Sequence, residues 1–326
     1  MKYKIIRAFL LLPLVLMSYS SYCWGFWAHQ KINYYAVFLL PPEMMILYKP
    51  NIAFLSEHAV DPDKRRYAVA DEAPRHFIDL DNYGKYPYES LPHNWKDALA
   101  KFTEDTLRAS GIVPWHVQIM LQRLTNAFKE QNFTRIMKNS AELGHYIADA
   151  HVPLHASSNH NGQLTNQKGI HAFWETRIPE LLAEKEFDFF IGKANYIKDP
   201  GGFIWDRVLE SGLAADSVLR FERDLTKEFK DDRKYSFEQR NGIIIKQYSS
   251  AFTTAYNKKL DGMVERRMRQ SIYAIASFWY TAWVNAGQPD LTVIAKQQFS
   301  EREIKEFEDL NSTWNNAAKI IGRDEN

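Results

Sequence analysis

Fifteen residues, His145-Tyr-Ile-Ala-Asp-Ala-His-Val-Pro-Leu-His-Ala-Ser-Ser-Asn159, hold three of the chain's ten histidines, with an aspartate between them. His145 and Asp149 are four positions apart, which on a helix places them one turn apart on one face. Pro153 cannot continue such a helix, and it biases Val152 away from helical geometry. His155 therefore falls on the turn beyond the helix end, from where it can fold back towards the same pocket. Sixteen residues further on, His171 and Glu175 repeat the four-residue spacing. Imidazole and carboxylate are ordinary ligands of zinc and similar metals. One such pair is usually a surface ion pair. Two pairs close in sequence, with another histidine just past a helix-ending proline, point to a metal centre.

Such a centre needs elements to hold it, and the patterning supplies helices. Residues 95–108, 114–129 and 134–150 read as amphipathic helices. Residues 174–185 read as a helix with a break or kink at Pro179. Residues 263–285 form a long aromatic-rich helix, punctuated by Gly287 and Pro289. Strand-like alternation is scarce, so the expected fold is all-α, a single mainly helical domain. The mixed charges of 227–240 read as a solvated face. The tail from Leu291 is polar and shows no legible chemistry.

The beginning of the chain reads as an export signal. Lys2, Lys4 and Arg7 precede an apolar run from Ala8 to Met17, too short for a comfortable membrane span. Ser21-Tyr22-Cys23 suits cleavage before Trp24. The expected organisation is a signal peptide over 1–23, a catalytic domain over 24–290 and a polar extension over 291–326, with a periplasmic or extracellular destination. Cleavage would remove the single cysteine, leaving neither disulfide nor thiolate ligand. Any metal would then be held by nitrogen and oxygen. Cleavage would also take the formal net charge from +1 to −2, because three cations and no anion are lost. Nothing in that balance suggests a broad nucleic-acid footprint.

The central stretch resembles the signature of the zinc-dependent phospholipase C family, His-Tyr-x-Gly/Thr-Asp-x-(Asn/Asp/Ser/His)-x-Pro-x-His-x-x-x-Asn, with Ala148 the one departure. The related single-strand-specific zinc nucleases of the S-one/P-one type carry a similar motif. Two further stretches fit the superfamily: Trp24-Gly-Phe-Trp-Ala-His29, and His58-Ala-Val-Asp61-Pro-Asp63-Lys-Arg-Arg66 followed by Ala73-Pro-Arg-His76-Phe-Ile-Asp79. The resemblance implies three zinc ions. Asp63, His76, His145 and Asp149 would hold the first. The α-amino nitrogen and carbonyl of Trp24, with His29 and the second oxygen of Asp149, would hold its partner. His155, His171 and Glu175 would hold the third. Asp61 stays open as the alternative to Asp63. His58 is expected in a structural or second-layer role, His93 and His116 exposed, His151 on another face of the turn, and Asn159 against substrate or in a plain turn.

The resemblance also implies a reaction: hydrolysis of a phosphodiester by metal-activated water, with Asp149 bridging two ions and Asp63 able to accept the water's proton. Glu175 and the sixteen-residue gap after His155 are similar to the phospholipases, whereas the Trp24-to-His29 spacing is similar to the nucleases. A phospholipase C-type enzyme is favoured, with a single-strand-specific nuclease as the alternative and a non-catalytic metal-binding surface protein as a third reading. The partner is a phospholipid head group or single-stranded nucleic acid. Transient contact with a membrane surface is compatible with the first, and no stable protein partner is implied.

Overall fold

A computed structural model describes residues 25–240, 243–317 and 320–321. The fold is all-α apart from one hairpin. Its centre is helix α5 (Phe133–Ala150), against which pack α1 (Phe26–Val37), α4 (Val113–Lys129) and α7 (Met263–Asn285). The Asn132 side chain starts α5 by accepting the Arg135 N–H. Behind it, α5 buries residues all round its surface, which suits a helix enclosed by others. α4 turns a stripe of Val117, Met120, Leu121, Leu124 and Phe128 towards this core. α7 adds Trp279, which is fully buried and whose indole N–H donates to Ser140 O at 3.0 Å. Truncating such a residue to alanine costs about 3–5 kcal/mol.

Two contacts fix where α5 lies relative to its neighbours. A Cβ on Gly144 would come within 2.0 Å of Asn33 Oδ1, so only glycine lets α1 approach this closely. Asn33 fills the gap by donating to Leu55 O and Ala141 O, both at 3.0 Å. At the other end, helix α6 (Pro200–Glu228) sends the Ser211 hydroxyl to Ala150 O at 2.8 Å. Arg267 of α7 donates to His151 O at 2.7 Å, placing a cation where the carbonyls of α5 emerge.

Two helix expectations, over 95–108 and at Pro179, need correcting, and two further stretches carry elements that were not anticipated. Residues 95–108 form two helices, α2 (Trp95–Lys101) and α3 (Glu104–Ala109), because Phe102 is extended and Thr103 caps the second. Within 227–240, α6 ends and strand β1 (Tyr235–Arg240) begins, pairing antiparallel with β2 (Ile243–Tyr248) so that Phe237 faces Lys246. The expected break at Pro179 is a widening instead: Phe173–Arg177 and Pro179–Ala183 are π-helical, and the chain stays helical through the proline. The tail beyond Leu291 carries helix α8 (Glu301–Asn316), opened by a Ser300/Glu303 capping box. α8 packs Phe307 against Phe54 (5.3 Å between ring centroids) and His58 (4.5 Å), and Trp314 against Phe26 (5.2 Å). Beyond it, Ile321 donates its N–H to Arg66 O at 2.8 Å. Among the described residues, no helix is long and apolar enough to cross a membrane. The expected signal peptide lies outside the described residues.

Candidate metal centre

The centre forms where α1, α5 and the segments following residues 57 and 150 converge. Among the described residues, three groups of side chains bring ligand atoms within 4.8 Å of one another: His29, His145 and Asp149; Asp63, His76 and His145; and His155, His171 and Glu175. All eight residues are buried. The close approach at Gly144 explains the first group, since it sets the His29 ring of α1 on the His145 ring of α5, with centroids 4.0 Å apart and planes at 21°.

Asp149 joins the groups. Its Oδ2 lies 2.9 Å from His76 Nδ1 and 3.1 Å from His145 Nε2. Its Oδ1 lies 3.4 Å from His29 Nε2 and 3.8 Å from His155 Nδ1. The two oxygens therefore address two different sets of nitrogens. Burial opposes charge on Asp149, but His145 and His155, with hydrogen bonds from His145 and His29, outweigh it and hold the carboxyl well below the usual range. Burial likewise opposes charge on His145, yet Asp149 and Asp63 push its imidazole up to about 9. The two carboxylates thus favour positive charge at this spot, which a bound cation would supply in place of the imidazole proton.

The third group differs. His171 Nε2 stands 3.0 Å from Glu175 Oε2, and His155 Nε2 stands 3.5 Å from the same oxygen. Burial dominates here and raises Glu175 to about 7, despite the opposing pull of His155. Burial also lowers His155 and His29.

The ring nitrogens facing away from the cluster are tied down. His145 Nδ1 bonds Ala59 O (2.8 Å), His155 Nδ1 bonds His76 O (2.6 Å), and His171 Nδ1 bonds His160 O (3.1 Å). A ring N–H given to a backbone carbonyl leaves Nε2 as a lone-pair donor, the usual arrangement behind a metal-bound histidine. Meanwhile both oxygens of Asp63 and Oε1 of Glu175 are buried without a hydrogen-bond partner. Buried carboxylate oxygens are costly in that condition, and a cation would satisfy them. The donors are all nitrogen and oxygen, which suits zinc.

Asp63 faces His145 at 3.6 Å and His76 at 3.7 Å. Asp61 is instead engaged by His58 (2.6 Å) and Lys64 (3.1 Å), outside the three groups. His151 is in none of them; its Nδ1 bonds Ile147 O at 2.7 Å, and burial and Arg267 lower its pKa well below the usual value. Asn159 braces its own loop, donating to Thr165 Oγ1 (3.1 Å) and accepting the Leu164 N–H (2.9 Å). His93 is exposed and stacks on Trp205. His116 was expected at the surface but is buried on α4 against the Tyr146 ring, where burial and Arg75 bring it down to about 3. Trp24 lies outside the described residues. The described chain opens at Gly25, whose N–H donates to Thr176 Oγ1 at 3.0 Å, next to Glu175.

Three supports escaped the sequence reading. Glu72 is fully buried and faces His76; the Tyr146 hydroxyl donates to it, as do Arg65 Nε (3.2 Å) and Arg75 Nη1 (2.8 Å). Burial opposes its charge, but His76 and Arg65 hold it far below the ordinary range. Its signal was a third acid/histidine pair at the same four-residue spacing, Glu72 and His76. Asn161 accepts the Gly169 N–H at 2.8 Å and so steadies the turn that presents His171. The hairpin buttresses the π-helical segment, with Tyr248 stacked on Phe173 at 3.8 Å and Glu238 receiving Arg177 at 2.6 Å.

No family model matches the chain, and no curated protein sequence matches it. Among solved structures it is similar to Alpha Toxin from Clostridium Absonum, with a TM-score of 0.42 and 11% identity, over 84% of this chain and 66% of that one.

Proposed function

We propose that this protein is a zinc-dependent phosphodiester hydrolase of the phospholipase C type. The observation that carries the reading is the meeting of three buried ligand groups at Asp149, whose two oxygens address separate histidine sets. A single structural zinc needs only four closed ligands, and this centre offers twice that number among its side chains. Asp63, His76, His145 and Asp149 would hold one ion. His29 and the other oxygen of Asp149 would hold a second, with the Trp24 amine and carbonyl as its remaining ligands. His155, His171 and Glu175 would hold a third. Bound zinc would supply Lewis acidity and bring the pKa of a coordinated water towards neutrality.

The chain's own part is positioning and proton handling. Asp149 sets the separation of the paired sites. Asp63 has an oxygen to spare for a proton from the attacking water. The loop braced by Asn159 and Asn161 keeps His171 aimed at Glu175.

The formal net charge of +1 offers no cationic surplus for a polyanionic strand, which favours a phospholipid head group over nucleic acid. The test is one purified sample assayed for zinc, then on a chromogenic phosphodiester, phosphatidylcholine, and single-stranded DNA and RNA. About three zinc equivalents and turnover of phosphatidylcholine are expected. Turnover of the nucleic acids alone would transfer the assignment to a nuclease. Absence of zinc-dependent hydrolysis on every substrate would overturn the proposal.

A further inference from the structure

Four histidines of the centre do not present the same ring nitrogen to it. His145, His155 and His171 point Nε2 into the cluster and give Nδ1 to a backbone carbonyl. His76 is reversed. Its Nδ1 points into the cluster, at Asp149 Oδ2 (2.9 Å) and His145 Nε2 (3.0 Å), while its Nε2 points outward to Glu72 Oε1 at 3.5 Å. Reversal carries a demand. Nε2 is the tip of the ring, so an outward Nε2 reaches deep into the protein and needs an acceptor there.

The carboxylate facing it is Glu72, whose Oε1 lies 3.5 Å away, beyond an ordinary hydrogen bond, with no other partner at Nε2, and Glu72 is itself heavily fixed. It precedes His76 by four residues, across the short 3-10 turn Ala73–Arg75. Arg65, Arg75 and the Tyr146 hydroxyl converge on its carboxylate, and Arg65 is anchored in turn by Glu142 at 2.7 Å. Tyr146 is the residue after His145, so the same helix that presents one ligand also holds the orienter of another. The His76 backbone carbonyl accepts from His155, and the Ile78 N–H donates to His155 O at 2.8 Å. The backbone of His76 and of Ile78 therefore also holds His155 of the third group.

We propose that Glu72 is the positioning residue of His76: by holding Nε2–H it selects Nδ1 as the zinc-binding nitrogen. This rests on the zinc reading above. A carboxylate behind a ligand histidine also makes the imidazole a stronger donor, and loss of such a partner typically costs 10–100-fold in metal affinity.

The test compares wild type, Glu72→Gln and Glu72→Leu, each stripped and reloaded with zinc against a chromophoric chelator. Two-bond ¹H–¹⁵N spectra of the histidines report the tautomer of His76, and melting of the stripped proteins reports structural cost separately. Wild type should show His76 protonated on Nε2. Glu72→Leu should weaken at least one zinc site tenfold or more and lose that tautomer. Glu72→Gln, which keeps an oxygen acceptor, should fall between. If both variants melt lower when stripped but bind zinc as tightly as wild type, with His76 unchanged, Glu72 is only an ion-pair partner for the arginines and the proposal is overturned. If wild type itself takes up no zinc, the zinc reading has failed, and this inference with it.

Discussion

The two sides of the centre are built in opposite ways. The paired side draws His29, Asp63, His76, His145 and Asp149 from four separate segments and packs them around α5, with imidazoles on every side of the shared carboxylate. The third side draws His155, His171 and Glu175 from one stretch of chain, through a 3-10 turn, a loop and a π-helical segment. The electrostatics differ correspondingly. Asp149 is held far below the normal carboxylate range by its histidines, whereas burial lifts Glu175 to about 7. Each side still leaves carboxylate oxygens for a cation to satisfy, both of Asp63 on the paired side and Oε1 of Glu175 on the third.

The largest effect should come from removing all metal. Chelation is expected to abolish hydrolysis and lower the melting temperature, because buried carboxylates lose their compensation; an unchanged melt in excess chelator would show that neither side needs an ion. Next comes Asp149→Asn, which keeps size but removes the charge common to both oxygen directions. A fall in turnover of about a thousand-fold or more is expected, from several kcal/mol of lost stabilisation. Glu175→Gln tests the asymmetry directly. It should remove about one zinc equivalent and leave the paired ions, with a smaller loss of turnover than Asp149→Asn; loss of all zinc in this variant would show the two sides to be one cooperative unit. The smallest effect should be that of His151→Gln, since His151 bonds Ile147 O outside the three groups. Its turnover should stay within a few-fold of wild type, and a loss matching that of Asp149→Asn would contradict the placement of the centre.

The contrast also explains what could be read from sequence. The third side was legible in His155, His171 and Glu175, because its ligands are close together and their spacing matches the helical period, with Pro153 marking the turn. His29, Asp63 and His76 lie on segments joined only by tertiary packing, and they were reached through family resemblance rather than spacing. Glu72 remained unread although it repeats the acid/histidine interval, because a turn and not a helix brings it to His76. His116 was misjudged for a related reason: a histidine in the first turn of a helix reads as exposed, and its burial is imposed by Tyr146 of another helix. The hairpin hid within a charged run, although the Ile243–Tyr248 stretch is rich in strand-forming residues. The 29-residue α6 was missed altogether, its start masked by Pro200-Gly-Gly. α8 did carry a local signal, the capping pair Ser300 and Glu303, but its apolar stripe is only a few residues wide.

That stripe has a kinetic consequence. Phe307 and Trp314 land on Phe54 and Phe26, and beyond them the Ile321 N–H reaches Arg66 O, joining distant parts of the sequence. Contacts of such separation carry the greatest loop-closure cost and form last. No residue of α8 is fully buried, so little is gained before docking is complete. The arm should therefore be absent from the folding transition state, and weakening it should speed unfolding while leaving the folding rate almost unchanged. The ligand-bearing helices would then assemble first, and the last-made part of the chain would act as a latch on their lifetime.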